Sequence, residues 1–346
     1  MSFRVLRRLL PPALSLPLAG CGGVILRPAG DVALQQRDLI VASTVLMLLI
    51  VVPVMALTAF FAWRYRASKP RADYDPEWDH STALELVIWS APLVIIIALG
   101  AMTWIGTHTL DPFRKVSRLA AGQPLPAGVK PLRVQVVALD WKWLFLYPDY
   151  GIASVNEMAA PVDVPIDFQI TASSVMNSFA VPALAGQVYA MPAMETALHA
   201  VINRPGTYEG FSGNYSGAGF SGMRFHVMGV NQGEFERWVR VTRETGGRLG
   251  RDDYLALAKP SENEPVRRYA SVAPGLYDAI VNFCAAPGQM CRREMHAIDA
   301  RGGLGLAGVG NVGGGGAAGV GSTGALALCA SPLQQPVVAM SPVAGR

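Results

Sequence analysis

Two stretches dominate the pattern of apolar and polar positions. Residues 39–63 run for 25 positions without a charge, and residues 86–107 for 22. About 20 apolar residues in a helix suffice to cross the ~30 Å hydrocarbon core of a bilayer, so each stretch predicts a membrane span. Pro53 and Pro92 fall inside them, as kinks that a membrane helix tolerates. Trp63, Tyr65, Trp89 and Trp104 lie near their ends, where interfacial aromatics are enriched. The alternative, buried helices of a soluble protein, is disfavoured by the pair occurring in tandem.

Beyond residue 130 the period shortens. Runs at 132–139, 141–147, 165–171, 197–202, 207–211 and 223–230 are rich in Val, Ile, Phe, Tyr and Trp. Gly, Pro, Asn and Asp gather between them, as in Asn203-Arg204-Pro205-Gly206. Short strands at this spacing predict a sandwich or barrel. Helical patterns follow at 234–244, 252–258 and 276–285. From Arg301 onward Gly, Ala and Val dominate, including Gly313 to Gly316; such a segment cannot bury a core and is expected to be a disordered tail. The expected fold is membrane-anchored and all-β: a two-helix hairpin, then a β-sandwich, then a helical C-terminal extension.

Composition agrees with this mixed architecture. Hydrophobic residues make up 51% of the 346 and charged residues 16%, too apolar for an ordinary soluble chain and too charged for a pure membrane bundle. The net charge of +4 comes without a long Lys/Arg block, which excludes a nucleic-acid partner. The four cysteines, Cys21, Cys284, Cys291 and Cys329, are too few and scattered for a disulfide scaffold.

The N-terminus reads as an address. Arg4, Arg7 and Arg8 precede a short apolar stretch that ends in Leu18-Ala19-Gly20-Cys21. Small residues directly before a cysteine fit a signal-peptidase site, and the sequence resembles the bacterial lipobox, in which the cysteine is acylated and becomes the first residue. A plain signal peptide with a chance cysteine is the other reading. A lipidated Cys21 lies outside the cytoplasm, so two spans return the chain to that side. The cations Arg64, Arg66, Lys69 and Arg71 in the connecting loop agree with positive-inside orientation, although Arg114, Lys115 and Arg118 follow the second span. The expected domains are a signal peptide (1–20), a lipidated tether (21–38), the hairpin (39–108), the sandwich (109–232), the helical extension (233–300) and the tail (301–346). The C-terminal domain is then periplasmic, at a bacterial inner membrane.

Chemistry-bearing residues are sparse. His80, His108, His199, His226 and His296 share no metal-ligand spacing. Met176, Met191, Met194 and Met223 are irregularly spaced and read as packing residues sooner than as copper ligands. Ser173-Ser174 has no partner base for nucleophilic catalysis. Cys284 and Cys291 lack companion ligands for a metal or haem, and outside the cytoplasm a short-loop disulfide is the better expectation.

Two spans followed by a periplasmic sandwich resemble subunit II of haem–copper oxidases over about residues 20–300. The local marks are Glu85 with Trp89 and Pro92, then Trp141-Lys142-Trp143, then Met176-Asn177-Ser178-Phe179-Ala180-Val181-Pro182, then Thr207 to Gly217. The resemblance implies a cupredoxin-like sandwich. In cytochrome c oxidases of this family that sandwich holds a two-copper centre, built from two bridging thiolates, two imidazoles and a thioether; soft sulfur delocalises the electron. Here Phe211 and Tyr215 stand at the cysteine positions, and Asn177 at the upstream histidine. Gly219 or Phe220 takes the second histidine position, and Met223 alone matches the thioether. No cysteine occurs between 22 and 283, so no shift of alignment restores the thiolates. The two aromatics are expected to fill the vacated pocket with apolar volume.

The resemblance therefore implies the quinol-oxidase branch, which takes electrons from ubiquinol within the membrane. The partners are then subunit I, other subunits of the oxidase and the lipid bilayer. Haems and copper are expected in subunit I, and no cofactor in this chain. The complex would couple ubiquinol oxidation and reduction of O2 to proton translocation. Glu85, seven residues before Pro92, resembles the carboxylate at the mouth of a proton pathway into subunit I; a solvated flank residue is the plainer reading. Two other functions remain in view: a lipoprotein scaffolding some other assembly, and a copper-containing cytochrome c oxidase subunit II, which the missing thiolates oppose.

Overall fold

In the computed structural model, residues 23–66, 77 and 79–303 are described. The signal sequence, Cys21, the loop residues Lys69, Arg71, Asp73 and Asp75, and the tail from residue 304 lie outside them.

The two apolar stretches form long helices, α1 (Asp31–Arg64) and α2 (Thr82–Thr109). At 1.5 Å per residue they measure about 51 and 42 Å, ample for a bilayer. Their apolar side chains face outward, which suits a lipid surround and not a soluble core. Hydroxyls within them turn back on the backbone: Thr44 donates to Ile40 O at 2.7 Å, Thr58 to Val54 O at 2.7 Å and Thr107 to Thr103 O at 2.8 Å. These hydroxyls are then not left bare in hydrocarbon. The helices approach at Gly106, where a Cβ would stand 3.0 Å from Leu39 Cδ2; small residues permit such approach.

Both helices extend beyond the predicted spans, and the tether reading of 21–38 is corrected. Residues 31–38 already belong to α1, and residues 28–31 are buried against the sandwich. Ala29 N and Gly30 N donate to Ala183 O at 2.7 and 3.0 Å, and Asn203 N donates to Ala29 O at 2.8 Å. A Cβ at Gly30 would meet Val201 O at 2.5 Å, so glycine permits this close approach. The strap locks α1 to the sandwich by backbone bonds, which an apolar pattern does not reveal.

The sandwich comprises a seven-stranded and a five-stranded sheet. Its strands are β3 (Leu132–Leu139), β4 (Lys142–Tyr147), β5 (Ile152–Val155), β6 (Glu157–Pro161), β7 (Pro165–Ala172), β8 (Asn177–Ala180), β9 (Gln187–Ala190), β10 (Thr196–Val201), β11 (Gly206–Ser212) and β12 (Arg224–Val230). A small ribbon, β1 (Arg118–Ala120) with β2 (Gln123–Pro124), precedes them. The larger sheet runs β10-β7-β3-β4-β5-β14-β13 and the smaller β6-β12-β11-β8-β9, where β13 is Gly247–Leu249 and β14 Arg267–Val272. The six predicted strands are present, with Trp141 moved into the β3–β4 turn at φ 65°.

β3 and β4 are buried on both faces. Val134, Val136, Trp143, Phe145 and Tyr147 point between the sheets, where Trp143, Phe145, Phe168, Phe179 and Phe225 cluster at ring separations of 5.1–6.4 Å. Their alternates, Val137, Leu139, Leu144 and Leu146, point outward into a second core. Two-faced burial explains why these strands read as continuous apolar runs.

That second core is completed by the helical extension at 233–300, which also carries strands. The region does hold α3 (Gln232–Thr245), α4 (Arg251–Leu257), α5 (Leu276–Val281) and α6 (Arg292–Asp299). It also contributes β13 and β14 to the larger sheet, while Leu249, Tyr254, Leu257, Leu276 and Ile280 cover its outer face. α3 is fixed by a reciprocal cap: Glu234 N donates to Asn231 Oδ1 at 2.9 Å and Asn231 N to Glu234 Oε2 at 3.2 Å. Phe235, Trp238, Val239 and Thr242, one helical face, are buried. Glu157 Oε1 joins β6 to this layer, accepting from Arg268 Nη2 at 2.6 Å and Trp238 Nε1 at 3.2 Å. A second unit begins at Glu294; its described part is the rest of α6 and the residues to 303.

Candidate functional site

The positions that the resemblance assigns to copper ligands lie where β8 meets the end of β11 and the loop that follows. Alternation along β11 decides which side chains face inward: Gly210 and Ser212 are buried and Phe211 is not. Phe225, opposite Gly210 on β12, lays its ring over that glycine, where a Cβ would stand 2.1 Å from Cζ.

Ser212, which the sequence did not single out, is the centre of the arrangement. Its Oγ donates to Asn177 Oδ1 at 3.1 Å, with Asn214 O also in reach at 3.2 Å, and its amide donates to Met223 O at 3.2 Å. Asn177 Nδ2 donates to Val175 O at 3.1 Å, and Asn214 Nδ2 to Met176 O at 3.1 Å. Asn177 and Met223 are each about 1% exposed. Fold geometry thus gathers Asn177, Ser212 and the Met223 backbone into one buried polar knot.

The expectation that both aromatics fill an interior pocket is overturned. Tyr215 is 74% exposed and rests edge-on against Phe220, ring centres 5.6 Å apart. Phe211 is half-buried at the sheet surface beneath the Arg224 guanidinium, 6.0 Å from its ring centre. Strand alternation turns Phe211 away from the knot, and the loop carries Tyr215 out to solvent.

The loop is held from below by Trp141, and the next residue, Lys142, is anchored to the C-terminal layer. Trp141 Nε1 donates to Ser216 O at 3.0 Å. Gly217 has φ 113°, and a Cβ at Gly219 would lie 2.6 Å from the Trp141 ring and 2.8 Å from Glu262 Cγ. Lys142, 1% exposed, donates to Ser261 Oγ at 2.6 Å and Lys259 O at 2.8 Å. Ser261 Oγ in turn donates to Glu264 Oε2 at 2.7 Å. Desolvation lowers the Lys142 pKa from its ordinary value, and the Glu264 and Asp140 carboxylates oppose that shift. Trp141-Lys142-Trp143 was legible as a family mark; the contacts across more than a hundred residues were not.

The remaining predicted positions lie elsewhere. Glu85 occupies the exposed first turn of α2 and makes no ion pair among the described residues. Two helical turns separate it from Pro92, so they share a face. Cys284 and Cys291 form a disulfide after α5, beside the second core. Among the described residues, no three His, Cys, Asp or Glu converge as a metal site. His199 instead pairs Nδ1 with Asp167 Oδ1 at 2.7 Å.

Comparison with known proteins gives concordant matches. Residues 151–230 match the family model "Cytochrome C oxidase subunit II, periplasmic domain", and residues 243–288 match "COX Aromatic Rich Motif". The chain is 47% identical over 274 residues to cytochrome bo(3) ubiquinol oxidase subunit 2 of Pseudomonas putida, covering 79% of this chain and 84% of that protein. It is 47% identical over 267 residues to ubiquinol oxidase subunit 2 of Acetobacter aceti, covering 77% and 84%. Identity to quinol oxidase subunit 2 of Bacillus cereus is 37% over 262 residues, covering 75% and 87%.

Proposed function

The chain belongs to the subunit 2 family of quinol oxidases, and from that premise we propose that it supports electron transfer and proton uptake in its complex without carrying an electron itself. It is a membrane-anchored subunit of a terminal quinol oxidase, an oxidoreductase complex of the haem–copper class, with a periplasmic cupredoxin-like domain. The observation that carries the proposal is the buried Asn177–Ser212 knot, with Phe211 and Tyr215 turned away from it. Neither an amide nor a hydroxyl replaces the bridging thiolates that a two-copper centre needs. Electrons then reach the complex from ubiquinol within the membrane, and the haems and copper reside in subunit I.

Two finer assignments belong to this reading. Glu85, at the cytoplasmic end of α2, collects protons for the buried oxygen-reducing centre; an ionisable group at a membrane boundary on a proton-consuming complex has that role open to it. Cys21 is acylated, adding lipid to two spans; mass spectrometry of the mature N-terminus reads this directly, and an unmodified residue there rejects it.

The test of the main proposal is the electron donor. A purified complex containing this chain should oxidise ubiquinol and fail to oxidise reduced cytochrome c. A mixed-valence dicopper spectrum in that complex, or turnover with cytochrome c, would overturn the proposal.

A further inference from the structure

A cavity of about 310 Å³ opens where both spans meet the sandwich. Its walls come from the start of α1, the segment after α2, and the β9 and β10 edge. Gln36 lies three residues above Leu39, where the uncharged stretch of α1 begins. At 1.5 Å per residue that is about 4.5 Å above the hydrocarbon edge. The headgroup layer extends about 5–7 Å beyond that edge. The cavity therefore sits at headgroup level, on the side that carries the sandwich.

Its charges are unevenly spent. Arg118 is committed to Asp31, with Nε to Oδ2 at 2.8 Å and Nη2 to Oδ1 at 3.1 Å, and that carboxylate is 2% exposed. Gln35 Nε2 donates to the same carboxylate at 2.7 Å. Asp111 accepts from Phe113 N at 2.9 Å. His199, on the opposite wall, is held by Asp167. Among the described residues, Arg114 donates only to a carbonyl, His108 O, at 3.2 Å. Lys115 and the Gln36 amide make no side-chain bond among the described residues. Among the described residues, two adjacent cations thus line the cavity without a carboxylate partner, against one lining carboxylate, Asp111, not held by a cation.

We propose that this cavity binds the phosphate of an anionic phospholipid of the outer leaflet, with Arg114 and Lys115 as its cationic ligands and Gln36 as a neutral donor. Charge complementarity and depth together select the occupant: two adjacent cations at headgroup level match a lipid phosphate whose chains run down beside α1 and α2. The bound lipid would fix the sandwich's height above the membrane, reinforcing the backbone strap at Ala29 and Gly30. This inference rests on membrane anchoring and is independent of the electron donor.

The test uses the intact complex, stripped of lipid in detergent. Phosphatidylglycerol, phosphatidylcholine or inorganic phosphate is added back, and the thermal midpoint is followed. Phosphatidylglycerol should raise the midpoint, whereas phosphatidylcholine and inorganic phosphate should not. Arg114→Gln with Lys115→Gln should shift the phosphatidylglycerol dependence about thirtyfold to higher concentration, the effect of two cations near an anionic surface. Haem content and quinol oxidation should stay normal, and Lys115→Arg should retain the response. Should the double variant assemble poorly, Lys115→Gln alone should still show a several-fold shift. An unshifted dependence in either variant, or equal stabilisation by phosphatidylcholine, would overturn the proposal. Equal stabilisation by inorganic phosphate would overturn it too, as a free-anion site.

Discussion

Tyr147 offers the sharpest check on how the two sheets are joined. Its hydroxyl, rising from the seven-stranded sheet, donates to Ala159 O at 2.9 Å and accepts from Ala159 N at 3.0 Å. Ala159 lies on β6, the edge of the five-stranded sheet, and both its backbone groups point away from β12. One phenol oxygen thus closes an edge strand that has no neighbour on that side among the described residues. Tyr147 and Ala159 are fully buried, and burial pushes the phenol pKa far above its ordinary value. Tyr147→Phe keeps the ring and its packing on Trp238 but leaves two buried backbone groups unpaired. At about 1–3 kcal/mol for each group, the loss is ~2–6 kcal/mol. For a domain of this size that lowers the thermal midpoint by roughly 5–15 °C. Tyr208→Phe is the control: its hydroxyl donates to Arg204 O at 2.6 Å in an exposed setting, where water can replace it, and should cost under about 0.5 kcal/mol. Thermal unfolding of the complex gives the midpoint, and hydrogen exchange over Glu157–Pro161 reports the edge locally. If Tyr147→Phe leaves both the midpoint and the Ala159 protection unchanged, the sheets are not joined in this way.

Four further outcomes are expected. Glu85→Ala should slow quinol oxidation in a fully assembled complex with normal haem content, and Glu85→Asp should retain more activity; wild-type turnover in Glu85→Ala would make the carboxylate a mere flank. Gly219→Val should destabilise the loop by about 1–3 kcal/mol, because its side chain would overlap the Trp141 ring and Glu262, and should raise proteolysis at 213–223. Replacing both Cys284 and Cys291 by Ser should cost about 2–3 kcal/mol, the loop-closure value for a separation of 7, seen as a lower denaturation midpoint that a reductant reproduces in the parent. Asp149 is held below its ordinary pKa by hydrogen bonds from Arg133 and Lys130, so its contribution is present above that ordinary value and fades as pH falls through the lowered one; Asp149→Asn should cost up to ~1 kcal/mol near neutrality and nothing in strong acid, by parallel melts.

What was legible in the sequence divides along physical lines. The spans announced themselves because lipid requires long uncharged runs. β3, β4 and β7 did so because burial makes them apolar and β-branched. β5, β6, β8 and β9 are four or five residues each and carry Ala, Ser and Asn, so their strand character comes from neighbours and not from propensity. At the candidate site the sequence marks Asn177, Phe211 and Tyr215 as departures from the pattern of the family it resembles. The bond between Asn177 and Ser212 was not legible. Ser212 sits in Phe-Ser-Gly-Asn, which reads locally as a turn, and its bond to Asn177 spans 35 residues. The side from which Tyr215 leaves the loop depends on Gly217 at positive φ and on the Trp141 ring, neither of which periodicity encodes.

The two-faced sheet links these parts. Because alternate residues of β3 and β4 feed different cores, the layer built from 247–285 covers Val137, Leu139, Leu144 and Leu146, an apolar face that would otherwise meet water. The same layer supplies Ser261 and Glu264 to Lys142, which starts β4 directly after Trp141. Trp141 in turn abuts Gly217 and Gly219 of the loop that follows β11. The path from the C-terminal layer to the Asn177–Ser212 knot is therefore continuous: buried lysine, indole ring, glycine loop, serine. The loop is tied by packing of the Trp141 ring from beneath and by hydrogen bonds within. That accounts for a loop that keeps a defined shape with only amide, hydroxyl and backbone groups at its heart.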